Sequence, residues 1–191
     1  MEAKLNAYLR KDERVLWQGQ PESFPLLDNG SRAAILRKWA LTVIVASCLV
    51  AGYVPNHHGE GMGFVIAVLA CSAILLLTPV LEMKGIMKCR YWITNQRVIQ
   101  MTKDKVFYYM DLADVDDVAI VKDKTVTDSL AVGSAAFRDA QKYIRWRACH
   151  PMEDPEAAKG RDHVDGMVMY NIGGAEAAAA LLRKLGCSSA A

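Results

Sequence analysis

Two long apolar runs dominate the first half of the chain, and a period-two alternation of apolar and polar positions takes over in the second. Gly61 to Leu81, GMGFVIAVLACSAILLLTPVL, contains no charged side chain. A helix of that length covers about 30 Å, the thickness of a bilayer's hydrocarbon core. The preceding run, Ala33 to Val54, carries Arg37 and Lys38 in its first turns. Both cations can extend to the headgroups, while Trp39 and Tyr53 stand where interfacial aromatics belong. The short polar connection PNHHGE then predicts an antiparallel two-helix transmembrane hairpin over 33–83, with helices at 33–54 and 61–83. Ser47 and Ala51 on the first helix, and Gly63, Ala67 and Cys71 on the second, form stripes of small residues that predict where the hairpin packs. Neither run has an ionisable residue at mid-depth, which argues against a proton or ion path.

Beyond Glu82 the pattern is that of strands. CRYWIT and RVIQMT form a predicted hairpin around Asn95-Gln96, KDK at 103–105 a second turn, and VFYYM a third strand. A polar corner, DLADVDD, leads to a fourth strand carrying Val118 and Ile120 on one face. Lys124–Leu130, Ser134–Arg138, Tyr143–Cys149 and Gly166–Asn171 are further strand candidates, and the polar stretch 150–165 reads as an exposed loop. GGAEAAAALLRKLG closes the chain as an amphipathic helix, with Ala178, Leu181, Leu182 and Leu185 on one face and Arg183 and Lys184 in its last turn. Sequential strands without intervening helices exclude a parallel α/β sheet. The expected architecture is α+β: a segment 1–32, the hairpin 33–83, and a domain 84–191 of about seven antiparallel strands with one C-terminal helix.

Charge supplies an orientation. Arg32, Arg37 and Lys38 flank the first span and Lys84, Lys88 and Arg90 follow the second, whereas the connecting loop has no lysine or arginine. By the positive-inside rule both ends lie in the cytoplasm. Of 191 residues 52% are hydrophobic, and the formal net charge of +2 is too small to point to nucleic acid. Cys48, Cys71, Cys89, Cys149 and Cys187 form no close-spaced pair, a pattern of reduced thiols. Nothing reads as a secretory signal, because some thirty mixed, charged residues precede the first apolar run.

The stretch ERVLWQGQP at 13–21, then the hairpin, then YWITNQRVI at 91–99 resembles the membrane-anchored bacterial PH-domain proteins. That family shows an acidic-apolar-Trp-x-Gly stretch, a hydrophobic hairpin, and a Tyr-x-x-Thr-(Asn/Asp)-x-Arg hairpin. LADVDDVAI and the closing helix fit it as well. The resemblance implies a PH-like antiparallel barrel or sandwich at the cytoplasmic face of the bacterial inner membrane, and no enzymatic activity. Some relatives in phototrophic bacteria are similar to photosynthetic reaction-centre assembly proteins.

Candidate chemistry is sparse. Lys84, Lys88, Arg90, Arg97, Lys103 and Lys105 gather near the membrane exit, where anionic lipid contributes about 1 kcal/mol per close cation. They are the candidate lipid- or partner-binding residues. Asp111, Asp114, Asp116 and Asp117 lack the glycine and distal glutamate of a calcium loop. Cys149, His150 and His163 offer three zinc ligands without a fourth, and the loop pair His57 and His58 offers two. No nucleophile motif occurs. Trp92, Tyr108, Tyr109 and Trp146 beside Arg97, Arg145 and Arg147 read as core aromatics rather than base-stacking platforms. The expected function is therefore a non-enzymatic scaffold or assembly module, without cofactor, metal or nucleic acid. Its expected partners are the lipid bilayer and a membrane protein or a further copy of itself. An anionic-lipid reader is the alternative, and a metal-dependent hydrolase using His150, His163 and the 150–165 loop ranks last.

Overall fold

In the computed structural model the described residues are 2–27, 31–56, 62–122, 127–134, 145, 148–153 and 162–185. Strand β1, Val15–Gly19, and strand β2, Arg90–Thr94, are antiparallel neighbours although both apolar runs lie between them in sequence. Strands β3, Arg97–Met101, and β4, Phe107–Asp111, complete a four-stranded sheet in the order β1-β2-β3-β4. The turn at Asn95-Gln96 pairs Ile93 with Val98 and Tyr91 with Gln100, the register the alternation predicts. The chain falls into two units, Met1–Phe24 with Gly85–Ala191, and Pro25–Lys84.

Both faces of the first sheet are covered, which explains why β2 and β3 are buried almost throughout. A short helix α1, Glu2–Tyr8, lays Leu5, Tyr8 and Leu9 against Trp92, Ile99, Met101, Tyr109 and Phe107. On the opposite face Tyr91, Ile93, Val98 and Met110 are fully buried. Tyr91 meets the second sheet there, its hydroxyl accepting the Tyr170 N–H at 3.2 Å.

The second sheet is formed by β5, Val118–Val121; β6, Ser129–Val132; β7, Met152–Glu153; and β8, Val164–Met169, in the order β5-β6-β8-β7. A parallel bridge between Tyr109 and His163 links the sheets at one corner. Among the described residues no closed barrel forms; of the barrel or sandwich that the resemblance implies, the strands make two antiparallel sheets. One reason lies at Tyr143–Cys149, where Arg145, Ala148 and Cys149 are helical and so add no strand to either ladder. Residues 135–138 and 154–161 of the expected strand and loop lie outside the described residues, whereas β7 and the start of β8 already occupy both ends of 150–165. The closing helix α4, Ala175–Lys184, packs Ala175, Ala178, Ala179 and Leu182 inward against β5 and β6.

Helices α2, Arg32–Tyr53, and α3, Gly63–Ile86, are the expected pair, offset by one to three residues at their ends. Both are long and apolar enough to cross a membrane, and only 6% of each apolar window is buried. The positions shielded from solvent recur three and four apart on each helix: Ile35, Trp39, Thr42, Ala46, Val50 and Tyr53 on α2, and Val65, Val68, Ser72, Leu76 and Pro79 on α3. Trp39 Nε1–H donates to the Leu76 carbonyl at 3.1 Å, and the Tyr53 and Phe64 rings lie 4.4 Å apart.

Candidate functional site

The loop before β1 and the tip of the β2–β3 hairpin are built for each other. Asn95 closes the hairpin turn, and its Oδ1 accepts the Arg14 N–H at 2.7 Å. Its backbone N–H reaches the Arg14 carbonyl at 3.2 Å, and Gln96 Nε2 donates to the Lys11 carbonyl at 3.2 Å. Beneath this rim, Arg97 Nε donates to both Glu13 oxygens, at 2.9 and 3.2 Å. Thr94's hydroxyl lies 2.8 Å from the same carboxylate and accepts the Gln96 and Arg97 N–H groups. The Arg10 N–H adds a further donor to Glu13 at 2.7 Å. The Glu13 and Arg97 side chains are 0% and 4% exposed, so each charge is compensated by its partner rather than by water. Burial alone pushes the Glu13 carboxyl up; the hydrogen bonds from Arg97, Arg10 and Thr94 outweigh it and hold the group below the ordinary range.

Arg97 also donates through Nη2 to the Tyr8 carbonyl at 2.7 Å, and its guanidinium lies over the Tyr8 and Tyr109 rings at 4.7 and 4.8 Å. This corrects its reading as a lipid-facing charge: Arg97 is a buried ion-pair residue. Outward from it, Arg10 bonds Asp111 at 2.8 Å and the Tyr8 hydroxyl donates to Asp162 at 2.8 Å. Burial, then the Asp162 hydrogen bond and charge, push the Tyr8 phenol well above its ordinary value. His163 Nε2 lies 3.0 Å from Asp114. The ligand atoms of Asp111, Asp114 and His163 are within 4.8 Å of one another, the spacing of a metal site. The donor set argues otherwise. Asp111 already takes the Arg10 guanidinium, and among the described residues the buried His163 Nδ1 has no hydrogen-bond partner to orient a ligating imidazole. These groups form a hydrogen-bonded network that ties the start of β8 to the corner after β4.

The other candidates separate by place. Lys84, Lys88, Lys103 and Lys105 are exposed, and Arg90 turns its guanidinium onto the Met87 and Cys89 carbonyls. Lys103 lays its aliphatic stem 3.1 Å from the point where a Cβ on Gly85 would stand, so its cation sits beside the α3–β2 junction. Ser47, Ala51, Gly63, Ala67 and Cys71 are exposed rather than in the hairpin contact, and a Cβ on Gly63 would meet nothing within 4 Å. Larger side chains at the contact hold the helices apart. Two apolar grooves result, of about 690 and 460 Å³, one bordered by Ser47 and Ala51, the other by Ala67 and Cys71, with Ala46 and Ser72 lining both. Asp116 and Asp117 cap backbone N–H groups of Ser134 and Val118, each at 2.7 Å. Cys149 is buried, His150 is exposed and His163 pairs with Asp114, so the three proposed zinc ligands serve different surroundings. His57 and His58 lie outside the described residues.

Sequence reasoning missed Glu13, Tyr8 and Arg10. A usable signal was present: an acid two residues before the apolar strand VLWQG, and a lone arginine behind a hairpin turn. Comparison with protein-family models, with curated proteins and with solved structures found no match to this chain.

Proposed function

We propose that this chain is a non-enzymatic, membrane-anchored PH-like module that holds a membrane-protein partner at the cytoplasmic face. The observation that carries this reading is the uncovered apolar surface of α2 and α3, with its two grooves edged by small residues. Small edges admit a third helix at short distance, where packing and weak interhelical hydrogen bonds drive association in lipid. The positive residues at both ends of the hairpin support the cytoplasmic orientation of the sheet-bearing unit. The paired sheets and the closing helix support the PH-like assignment, and the buried Glu13–Arg97 ion pair at the β2–β3 tip supports a structural rather than a catalytic role for its charges.

The test is capture of full-length protein from its own membranes in mild detergent, compared with a Ser47→Leu, Ala51→Leu variant that fills one groove. A membrane protein recovered in fixed ratio by the parent chain and lost by the variant is the expected result. Equal recovery by both, or single unaccompanied chains from the parent, overturns the proposal. Recovery of further copies of the same chain identifies self-association as the form the partnership takes.

Anionic lipid is the second reading, favoured by the placement of Lys103 beside Gly85 together with the exposed Lys88 and Lys105. Salt-sensitive flotation of the cytoplasmic unit on anionic vesicles tests it. A fragment beginning at residue 84 is unsuitable, because it lacks β1 and the α1 residues that cover Trp92.

A further inference from the structure

Cys89 and Cys149 are sixty residues apart in sequence and adjacent in the fold. Cys89 ends the turn between α3 and β2, its sulfur 3.8 Å from the Gly85 carbonyl and 3.5 Å from the Ala148 carbonyl. Cys149, the next residue after Ala148, places its sulfur 4.0 Å from the Cβ position of the same Gly85. The Cys149 thiol is near enough to act on Cys89 as a hydrogen-bond donor. Both are buried, at 0% and 5% exposure. A pair of buried cysteines read singly is two small apolar fillers. Here both lie beside one residue, Gly85.

The surroundings also favour sulfur chemistry. The hydrogen bond from Cys149 lowers the Cys89 thiol from its ordinary value; burial opposes this, and the Lys103 N–H with the Arg90 and Lys103 cations reinforces it. The attachment point matters too. The Ala148 carbonyl accepts from Cys89 Sγ and from Gln100 Nε2, so this short helical piece is bound where β2 starts and β3 ends.

We propose that Cys89 and Cys149 are a redox site that closes to a disulfide under peroxide and reopens with a dithiol, fastening residues 148–149 to the junction between the apolar helix α3 and the first sheet. Whichever sulfur reacts first attacks one peroxide oxygen as a thiolate. The S–O bond forms, the O–O bond breaks, and hydroxide leaves as water to give a sulfenic acid. The second thiolate attacks that sulfur, the S–S bond forms, the S–O bond breaks, and a second water leaves. Two thiols are oxidised by two electrons and one hydrogen peroxide is reduced to two waters. A disulfide that cycles in this way belongs in a reducing compartment, where lasting ones are rare.

The experiment uses the full chain in mild detergent with Cys48, Cys71 and Cys187 changed to alanine. It is pulsed with hydrogen peroxide, alkylated, denatured, digested and analysed by mass spectrometry with and without dithiothreitol. The expected product is a Cys89–Cys149 linked peptide pair, two hydrogens lighter and released by reduction. The oxidised chain should melt roughly 5–10 °C above the reduced one, as a long closed loop requires. Cys149→Ala, with Cys149→Ser beside it in case one fails to fold, should convert the product to singly oxidised Cys89 without a linked pair. The parent measurement needs neither variant. Complete alkylation of both cysteines after peroxide, or linkage that forms only in denatured protein, overturns the proposal.

Discussion

At the scale of single residues, the strongest commitment in the protein is the Glu13–Arg97 pair. Removing one partner leaves a buried charge, so Arg97→Ala should lower stability by roughly 3–5 kcal/mol. Arg97→Lys keeps the charge yet loses the fork that reaches Glu13 and the Tyr8 carbonyl together, and should lower it by roughly 1–3 kcal/mol. Denaturant midpoints of the two variants check that order. The pair also sets a pH response. Glu13 sits below its ordinary value of 4.5 when folded, so its stabilisation is fully present above that value and is lost as pH falls through the lower, folded one. Acid unfolding should therefore steepen below about pH 4.5. Glu13→Gln should flatten that part of the curve while being less stable at neutral pH; an unchanged acid limb in the variant would show that other carboxylates carry it. Little of this was legible. Arg97 sits in sequence among lysines and Arg90, and only the return of the N-terminal segment supplies the carboxylate that draws it inward.

At the scale of elements, two glycines decide how closely strands are approached. Trp17 and Gly19 are two apart on β1, and the Trp17 ring occupies the space a Cβ on Gly19 would need. Gly133 follows β6 with φ +88°, and a Cβ there would collide with the Asp165 carbonyl and lie 2.8 Å from Met110 Cε. A ring can swing away, but a strand carbonyl cannot. Gly133→Ala should therefore cost about 2–3 kcal/mol and Gly19→Ala about 1 kcal/mol, measured as shifts in thermal unfolding. Helices α2, α3 and α4 were legible because length, hydropathy and the three-to-four spacing are local properties. The β2–β3 hairpin was legible for the same reason. The strand proposed over Tyr143–Cys149 was not: its alternation suits a strand, yet Ala148 is held by Cys89 and Gln100 in a helical turn that local pattern cannot foresee. The small-residue stripes erred in the opposite sense, marking the groove edges instead of the helix contact, because Trp39 and Tyr53 take the contact and keep the backbones apart.

At the scale of the whole molecule, α2 and α3 are an excursion between two strands of one sheet. Residues 1–24 and 85–191 make a single unit, stitched by β1–β2 pairing, by the Glu13–Arg97 pair and by the Glu22 N–H donating to the Asn171 carbonyl at 2.8 Å. Replacing Pro25–Lys84 with a flexible linker of about 12 residues, reaching roughly 20 Å, should yield a water-soluble protein with cooperative unfolding. Deleting residues 1–24 from that protein should abolish the cooperative transition, as β2 would lose its neighbour and Trp92 its cover. If the shorter protein unfolds as sharply as the longer one, the N-terminal segment is an ornament and not part of the fold.

The sequence by itself determined the apolar helices, the strand-rich second half, the hairpin turn at Asn95 and the amphipathic closing helix, because each depends on side chains within a few turns or one pleat of each other. Only the tertiary structure decided that β1 crosses back to β2, that Arg97 is buried, that the strands form two sheets instead of a closed barrel, and that Cys89 meets Cys149. Each of these joins residues from about forty to more than eighty positions apart. Such contacts depend on which segments close against one another, a choice set by the packing of the whole unit and not written in any local pattern.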